Sequence, residues 1–486
     1  MAETRRPDPK AITRQSDDFD RWYVDTVLRA ELADYTPVRG CMVIRPYGYA
    51  LWENIQRALD AMFKRTGHEN MYFPLFIPES YLQKEAEHVE GFAPEVAWVT
   101  RGGGKELEEP LAIRPTSETI ICSLYADWIH SWRDLPVKIN QWVNVCRWEK
   151  RTRLFMRTTE FLWQEGHTFH ETDTEAAEEV DTMLGSYREL HEDWLAIPVI
   201  PGRKTESEKF AGARYTLSIE AMMKDGWALQ AGTSHHLAQN FTRAYGITFS
   251  DRDNVVQHPH QTSWGLSTRV IGGLIMAHGD DAGLVLPPRV AQVQVVVVPI
   301  VRSNDPDGTA RIEEAVTQIE RSVPDGLRLR VDRREGVRPG EKFAHWELRG
   351  VPLRIVVGMK DLADGRVTLV RRVDGHESKL PLEGLAQRLP AMLDEAQRAI
   401  YDNARRALDE RSVDVRTIDE LVDAFAERPV FASGPFCNTS ACEIRVKESV
   451  HAVTVRNLRA DRQADGAPCI ACGESSRHVA LMARAY

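Results

Sequence analysis

The chain has 486 residues, 43% of them hydrophobic, enough for two or three domains each with its own core. Its 62 basic and 72 acidic residues leave a net charge of -10, which disfavours nonspecific adhesion to nucleic acid or acidic membrane, so a nucleic-acid partner must meet a local basic face. No run approaches the roughly 20 apolar residues of a membrane span, and residues 1–20 lack a signal-peptide core; the expectation is a cytoplasmic protein with no membrane partner.

From 17 to 288, helical patterns alternate with apolar strands and end in GLVLPPRVA, whose paired prolines mark a boundary. Within it, Leu51, Ile55, Leu59, Met62 and Phe63 make a helical stripe, Gly67 is placed to cap it, and Pro74 interrupts the strand that follows. RGGGKE at 101–106 lacks the Gly-Lys-Ser/Thr ending of a phosphate loop and reads as a flexible turn. In KINQWVNVCRWEK, the residues Ile139, Val143, Val145, Arg147 and Glu149 share one strand face. After a turn through Lys150 to Leu154, a second strand carries Arg157, Thr159, Phe161, Trp163, Glu165 and His167 on one face. Further on, Ser267 is a candidate helix N-cap, Arg269 falls in the first turn, and Val270 to Ala277 has no polar face. From 291 to 400, the strand-like VQVVVVPIV, a helix over Thr309 to Val323, the strand LRLRVD, a helix near Glu341 to Leu348 and the strand PLRIVVG give the rhythm of a compact α/β domain. Leu382 to Glu410 reads as a helical connector leading into a third region, 401–486.

Paired, the two strands of the hairpin place two arginines, a phenylalanine and two carboxylates on one surface. Guanidinium groups grip phosphate oxygens in a bidentate fork and an aromatic ring stacks on a base, so this inventory suits a nucleoside triphosphate. The alternative is an exposed hairpin laced with surface ion pairs, each worth about 0–1 kcal/mol. Arg269 entering an apolar helix is costly without a partner, and either a phosphate or a structural acid would serve. Of the seven cysteines, Cys41, Cys122 and Cys146 stand alone, whereas Cys437-x4-Cys442 and Cys469-x2-Cys472 form two chelating turns. That is the pattern of a four-thiolate zinc site, closed to further ligands and therefore structural.

Arg147-Trp148-Glu149, a loop, then Arg157 and Phe161 resemble motif 2 of class II aminoacyl-tRNA synthetases, and RWEKRTRLFMRTTEFLWQEGHT is similar in particular to prolyl-tRNA synthetases. The helix and Pro74-bearing strand, and HQTSWGLSTRVIGGLIMAHGDDAGLVLPP, resemble motifs 1 and 3. The resemblance spans about 17 to 486 and implies an α/β fold class: an α+β catalytic domain on a mostly antiparallel sheet (17–288), an α/β anticodon-binding domain (291–400) and a small zinc-bearing α/β domain (401–486). The tail resembles that of the archaeal and eukaryotic-like form, in which a terminal tyrosine, here Tyr486, brings its carboxylate toward the active site. The interval from His167 to Ser263 leaves no room for an editing insertion.

By the same resemblance, Arg147 contacts the α-phosphate of ATP, Arg157 lies near the outer phosphates, and Arg269 clamps the γ-phosphate, with Arg147 and Arg269 catalytic. Glu149 sits by the adenine edge, Phe161 against the ring, and Gln230 and Thr233 close to the nucleotide. Thr116 and Glu118 resemble the T-x-E loop that engages the proline nitrogen, whose two N–H donors suit a hydroxyl and a carboxylate. Arg147, Trp163, Glu165, His167, Phe210, Thr233, His235 and Ser263 line or support the proline pocket; SHHLAQNF departs from the family's more usual aromatic and glycine. Glu347 and Arg354, with Lys360, match positions that read anticodon guanines, the alternative being plain surface charges. The implied reaction joins proline to ATP as prolyl-adenylate with release of pyrophosphate, then transfers the prolyl group to the 3' end of tRNA(Pro). Mg2+ bridges the phosphates, Zn2+ is structural, and the protein is a homodimer. Asp280 and Asp281 are magnesium candidates set against a helix-terminating surface turn. A threonyl-type enzyme, a non-catalytic tRNA-binding paralogue and a metal-dependent RNA-binding module are the rivals. The T-x-E loop, the three arginines and the hairpin argue against each in turn.

Overall fold

The stripe Leu51, Ile55, Leu59, Met62 and Phe63 is the buried face of the helix Pro46–Arg65 in the computed structural model, which describes residues 12–88, 95–302 and 304–486. Residues 1–11, part of the segment read for a signal core, lie outside the described residues. Pro46 opens the helix where its missing N–H costs nothing, and Gly67, at φ +84°, follows the C-cap as expected. The chain then gives only the two-residue strand Glu69–Asn70, which stops before Pro74 is reached, and Phe76–Pro78 beyond that proline joins another sheet.

The strand Glu69–Asn70 edges an eleven-stranded sheet. From it the order runs Val137–Cys146, Glu160–His170, His260–Ser267, Ala228–Ala238, Tyr215–Met222, Val199–Arg203, Val453–Gln463, His478–Arg484, Phe431–Phe436 and Ser412–Asp414. Every pairing is antiparallel except the first and the last. The helices Pro46–Arg65, Asp173–Glu189 and Arg269–His278 share one apolar cluster with this sheet, Ile55, Leu59, Val180 and Ile271 being fully buried in the protein. Each such side chain contributes about 1.5–3 kcal/mol on burial. The residues from 167 to 263 supply strands of this sheet, the helices Asp173–Glu189 and Asn240–Ala244, and a small two-stranded ribbon of Phe249–Ser250 with Val256–Gln257.

Three boundaries near the site differ from the sequence reading. The first hairpin strand ends at Cys146, so Arg147 and Glu149 lie past its end and not on its face. The second hairpin strand begins at Glu160, because Arg157 and Thr159 are spent on the loop: Arg157 N donates to Arg153 O at 2.9 Å and Thr159 N to Gly40 O at 2.8 Å. The helix after the third motif has Thr268 at its N-cap, while Ser267 Oγ still accepts from Arg269 N at 3.3 Å. The glycines of RGGGKE form a turn with Gly103 and Gly104 at φ +57° and +80°, joining Trp98–Gly102 to Lys105–Ile113.

The middle region builds a five-stranded sheet in the order Leu329–Val331, Val295–Pro299, Leu353–Val357, Arg366–Arg371, Glu377–Pro381. The first three are parallel, as the βαβ rhythm requires, and the last two add an antiparallel edge that periodicity did not reveal. Val295 to Val298 are wholly buried because helices Pro306–Ser322 and Pro339–Leu348 pack on the sheet, which is why the strand reads as an uninterrupted apolar run. Asp280 accepts from Arg372 at 2.7 and 2.5 Å and so ties this unit to the end of the helix Arg269–His278; Asp281 accepts from Gln15 N at 2.8 Å.

The connector is the 26-residue helix Leu385–Glu410. Beyond it, the tail strands do not stand apart: Val453–Gln463 pairs with Val199–Arg203 and extends the main sheet. The approach demands glycine at 202, since a Cβ there would meet Leu458 O at 2.4 Å. Beside it, Lys204 Nζ donates to Glu220 at 2.8 Å and to Arg456 O at 2.8 Å, and Arg456 reaches Glu220 at 3.1 Å, a buried network bridging both segments.

Candidate active site and metal centre

Strand register assembles the site. His235 pairs with Ser263 and Ser263 with His167; one row over, Thr233 pairs with Gly265 and Gly265 with Glu165, and Glu165 with Gln141. Ser267 pairs with Trp163, which pairs with Val143, and Phe161 with Val145. Residues far apart in sequence thus lie side by side on one face, bordering a cavity of ≈ 320 Å³. That volume falls in the range of small-molecule sites. Gly265 leaves a gap between the Thr233 and Glu165 side chains, so the floor there is bare backbone. Gln230, Thr116, Glu118 and Phe210 complete the wall.

At one end the cavity is cationic. Arg147 donates through Nε to Pro115 O at 3.1 Å and spans the rings of Trp163 and Phe161, 5.3 and 5.6 Å from their centroids. Arg269 donates through Nε to Met156 O at 2.8 Å, and among the described residues neither Nη group has a partner, which leaves them for a ligand. Burial pulls down the pKa of Arg147 against the pull of Glu118, Glu165 and Glu149. Burial does the same to Arg269, reinforced by the charges of Arg147 and Arg157. Neither makes an ion pair among the described residues; the guanidinium's high intrinsic pKa keeps both charged despite burial, which leaves room for an anion. Arg157 and Glu149 lie outside the cavity lining, joined to each other at 2.6 Å.

The other end is a buried acid network. Thr116 Oγ1 donates to Glu118, which opens the helix Glu118–Tyr125, where negative charge suits the helix dipole. Glu165 accepts from Ser117 Oγ at 2.5 Å, Ser117 N at 3.1 Å and Gln141 Nε2 at 2.7 Å, and faces His167 Nε2 at 3.1 Å. Burial disfavours charge on this pair, yet their hydrogen bond prevails, holding Glu165 below and His167 above its ordinary pKa. His167 Nδ1, Ser263 Oγ and Trp163 Nε1 are buried without a partner among the described residues. Such groups cost about 1–3 kcal/mol each unless a ligand satisfies them. His235 bonds Thr216 Oγ1 at 2.9 Å, and its ring lies 4.7 Å from that of Phe210. Burial, with the charge of His167, lowers its pKa to about 3, so it is neutral near pH 7.

Ser117, Gln141, Lys204 and Thr216 escaped the sequence reading. Gln141 could have been found, since it shares strand parity with Ile139 and Val143; nothing local marks the others. Tyr486 donates to Asp225 at 2.5 Å and packs on Trp227, with Arg153 5.6 Å from its ring. In the middle unit, Glu347 and Arg354 border one small groove with Trp346 and Arg372, whereas Lys360 lies on Met359–Leu362 past the far end of the strand and does not line it.

The four tail cysteines converge, all sulfurs lying within 4.8 Å of one another. Cys437 Sγ is 3.4 Å from Cys442 Sγ and 3.8 Å from Cys472 Sγ. Four thiolates about 2.3 Å from a central zinc stand about 3.8 Å apart, so the donor set fits such an ion.

Residues 98–278 match the tRNA synthetase class II core domain (G, H, P, S and T), 294–392 the anticodon binding domain, and 418–486 the prolyl-tRNA synthetase C-terminal domain. The chain is 49% identical over 487 residues to proline–tRNA ligase 2 of Clostridioides difficile (strain 630), covering 100% of both chains. It is 52% identical over 485 residues to the proline–tRNA ligase of Symbiobacterium thermophilum, covering 98% of each. A crystal structure of prolyl-tRNA synthetase from Cryptosporidium parvum complexed with halofuginone and AMPPNP matches with a TM-score of 0.93 at 39% identity, over 99% of this chain and 100% of that one. A class II core built on an antiparallel sheet, with that full-length similarity, makes this chain a member of the prolyl-tRNA synthetase family.

Proposed function

We propose that the cavity activates L-proline with ATP to prolyl-adenylate and pyrophosphate, and then passes the prolyl group to the 3' end of tRNA(Pro). The observation that carries the reading is one cavity with two guanidinium groups that lack ion-pair partners among the described residues at one end and the buried carboxylates Glu118 and Glu165 at the other. Proline binds by its secondary ammonium to Thr116 and Glu118, with Trp163, His167, Phe210, His235 and Ser263 around its ring. Glu165, locked by Ser117 and Gln141, orients His167. The proline carboxylate attacks the α-phosphorus, so the protein positions reactants and stabilises charge, with no general base or covalent nucleophile needed. Arg147 neutralises the α-phosphate, Arg269 holds the γ-phosphate and Arg157 the outer oxygens, once ATP displaces it from Glu149. Glu149 then faces the adenine edge, Phe161 its ring, and Gln230 and Thr233 border the nucleotide. ATP enters as its magnesium complex, which spreads the charge of the departing pyrophosphate.

Zinc held by Cys437, Cys442, Cys469 and Cys472 braces the tail as a closed structural site. Glu347 and Arg354 read the anticodon, with Lys360 a more distant contact. The division into 17–288, 291–400 and 401–486 follows these roles. Exposed Tyr72 in the first motif, with exposed Tyr35, Val38 and Val43 just before its helix, supports a homodimer, and the enzyme acts in the cytoplasm. Among the described residues no helix is long and apolar enough to cross a membrane. ATP–pyrophosphate exchange with single amino acids and no tRNA tests the reading. Exchange led by proline is expected; silence from folded protein would shift the assignment to a non-catalytic paralogue, and exchange led by threonine to a sister enzyme.

A further inference from the structure

The proline pocket closes on one side with the loop that follows the strand Val199–Arg203 and carries Phe210 against His235. The loop's outward turn, Glu206 to Glu208, is exposed, and among the described residues Glu206 pairs only with Lys209 at 2.7 Å and with Arg203, the last residue of the strand, at 3.6 Å. What ties it down comes from the tail. Glu443 Oε1 accepts from Thr205 Oγ1 at 2.9 Å, and Glu443 Oε2 accepts from Ser207 Oγ at 2.6 Å. Thr205 is itself buried, and its carbonyl accepts from Glu208 N at 3.2 Å and Lys209 N at 3.0 Å, which sets the turn leading into Phe210. Phe210 N then donates to Thr216 Oγ1 at 3.0 Å, the same hydroxyl that bonds His235.

Glu443 is in turn held by the cysteine cluster. It follows Cys442 in the first turn of the helix Ser440–Ser449, and its N–H donates to Thr439 O at 3.1 Å. Two residues on, Arg445 donates to Ala471 O, between Cys469 and Cys472. The carboxylate therefore stands on a turn pinned at both chelating loops. We propose that Glu443 is a positioning residue for the amino-acid pocket: the tail reaches across to hold the Thr205–Ser207 turn, and through it Phe210, against the bound amino acid. This rests on the reading of that end of the cavity as the proline pocket.

The latch predicts a selective defect. Glu443→Ala should raise the KM for proline about tenfold in exchange, with kcat and the KM for ATP within about twofold, because the phosphate end is untouched. Trypsin should cut after Lys209 faster, and Glu443→Gln, which keeps an acceptor, should restore most of the affinity. Thr205→Val with Ser207→Ala breaks the same bonds from the catalytic side and leaves the cysteine cluster intact. It should reproduce the defect, and combining it with Glu443→Ala should add little. Zinc content equal to the parent's in both variants separates the latch from metal loss. A proline KM unchanged in the Thr205/Ser207 variant while Phe210→Ala raises it would overturn the latch and leave the pocket standing. A proline KM unchanged in Phe210→Ala would overturn the pocket reading and the latch with it.

Discussion

Arg269→Ala is the sharpest test of the cationic end. Arg269 spends Nε on Met156 O at 2.8 Å and presents both Nη groups, the end that matches a phosphate bidentately. Charge-assisted hydrogen bonds contribute about 1.5–3 kcal/mol each, but water partly replaces them in the mutant, so a net loss near that of a single oxyanion donor, about 2.7–4 kcal/mol, is expected. That predicts a roughly 10²- to 10³-fold fall in kcat/KM for ATP in proline-dependent pyrophosphate exchange. Stability should barely move: the variant loses one hydrogen bond worth about 1 kcal/mol but also relieves the burial and the repulsion from Arg147 and Arg157 that lower the Arg269 pKa. A Tm shift below about 4 °C is therefore expected. Arg269→Lys, a point charge without the fork, should fall between the two. Exchange within about threefold of the parent in a folded Arg269→Ala protein would refute the argument.

Glu118→Gln keeps the shape of the carboxylate but removes the charge that faces the substrate ammonium, and should raise the proline KM by roughly tenfold or more with ATP affinity unchanged, as read by titrating each substrate in exchange. The Glu165–His167 pair shapes the pH profile. His167, raised above its ordinary 6.5, adds stability that is complete below that value and lost as pH rises through the raised one. Glu165, depressed below 4.5, adds stability present above 4.5 and lost as pH falls through the depressed value. Urea midpoints should therefore decline above about pH 6.5, and His167→Gln should flatten that alkaline limb. Buried His235, lowered to about 3, and His191 and His278, each lowered to about 4, are already neutral there and do not contribute. Metal analysis should find about one zinc per chain, and Cys469→Ser should lose it together with thermal stability of the tail, as followed by calorimetry.

Much of the site was legible from local pattern. Period-two parity put Phe161, Trp163, Glu165 and His167 on one face, and the pairing with Val137–Cys146 keeps them there. The unbroken apolar run Val270 to Ala277, the βαβ rhythm of the middle unit and the paired cysteine spacings likewise depend on neighbours a few residues apart, so sequence alone determined them. Tertiary structure decided the rest. Register across three strands aligned His235, Ser263 and His167, and folding brought Ser117 onto Glu165 from 48 residues away. Loop bonds delayed the second hairpin strand to Glu160, and the Glu149–Arg157 pair formed where separate ligand contacts were expected. Docking merged the tail into the catalytic sheet through Gly202, Lys204 and Glu443. The physical reason is common to all of these: spacing sets which way a side chain points, whereas its partner is chosen by burial, register and close backbone approach between segments that only the folded chain brings together.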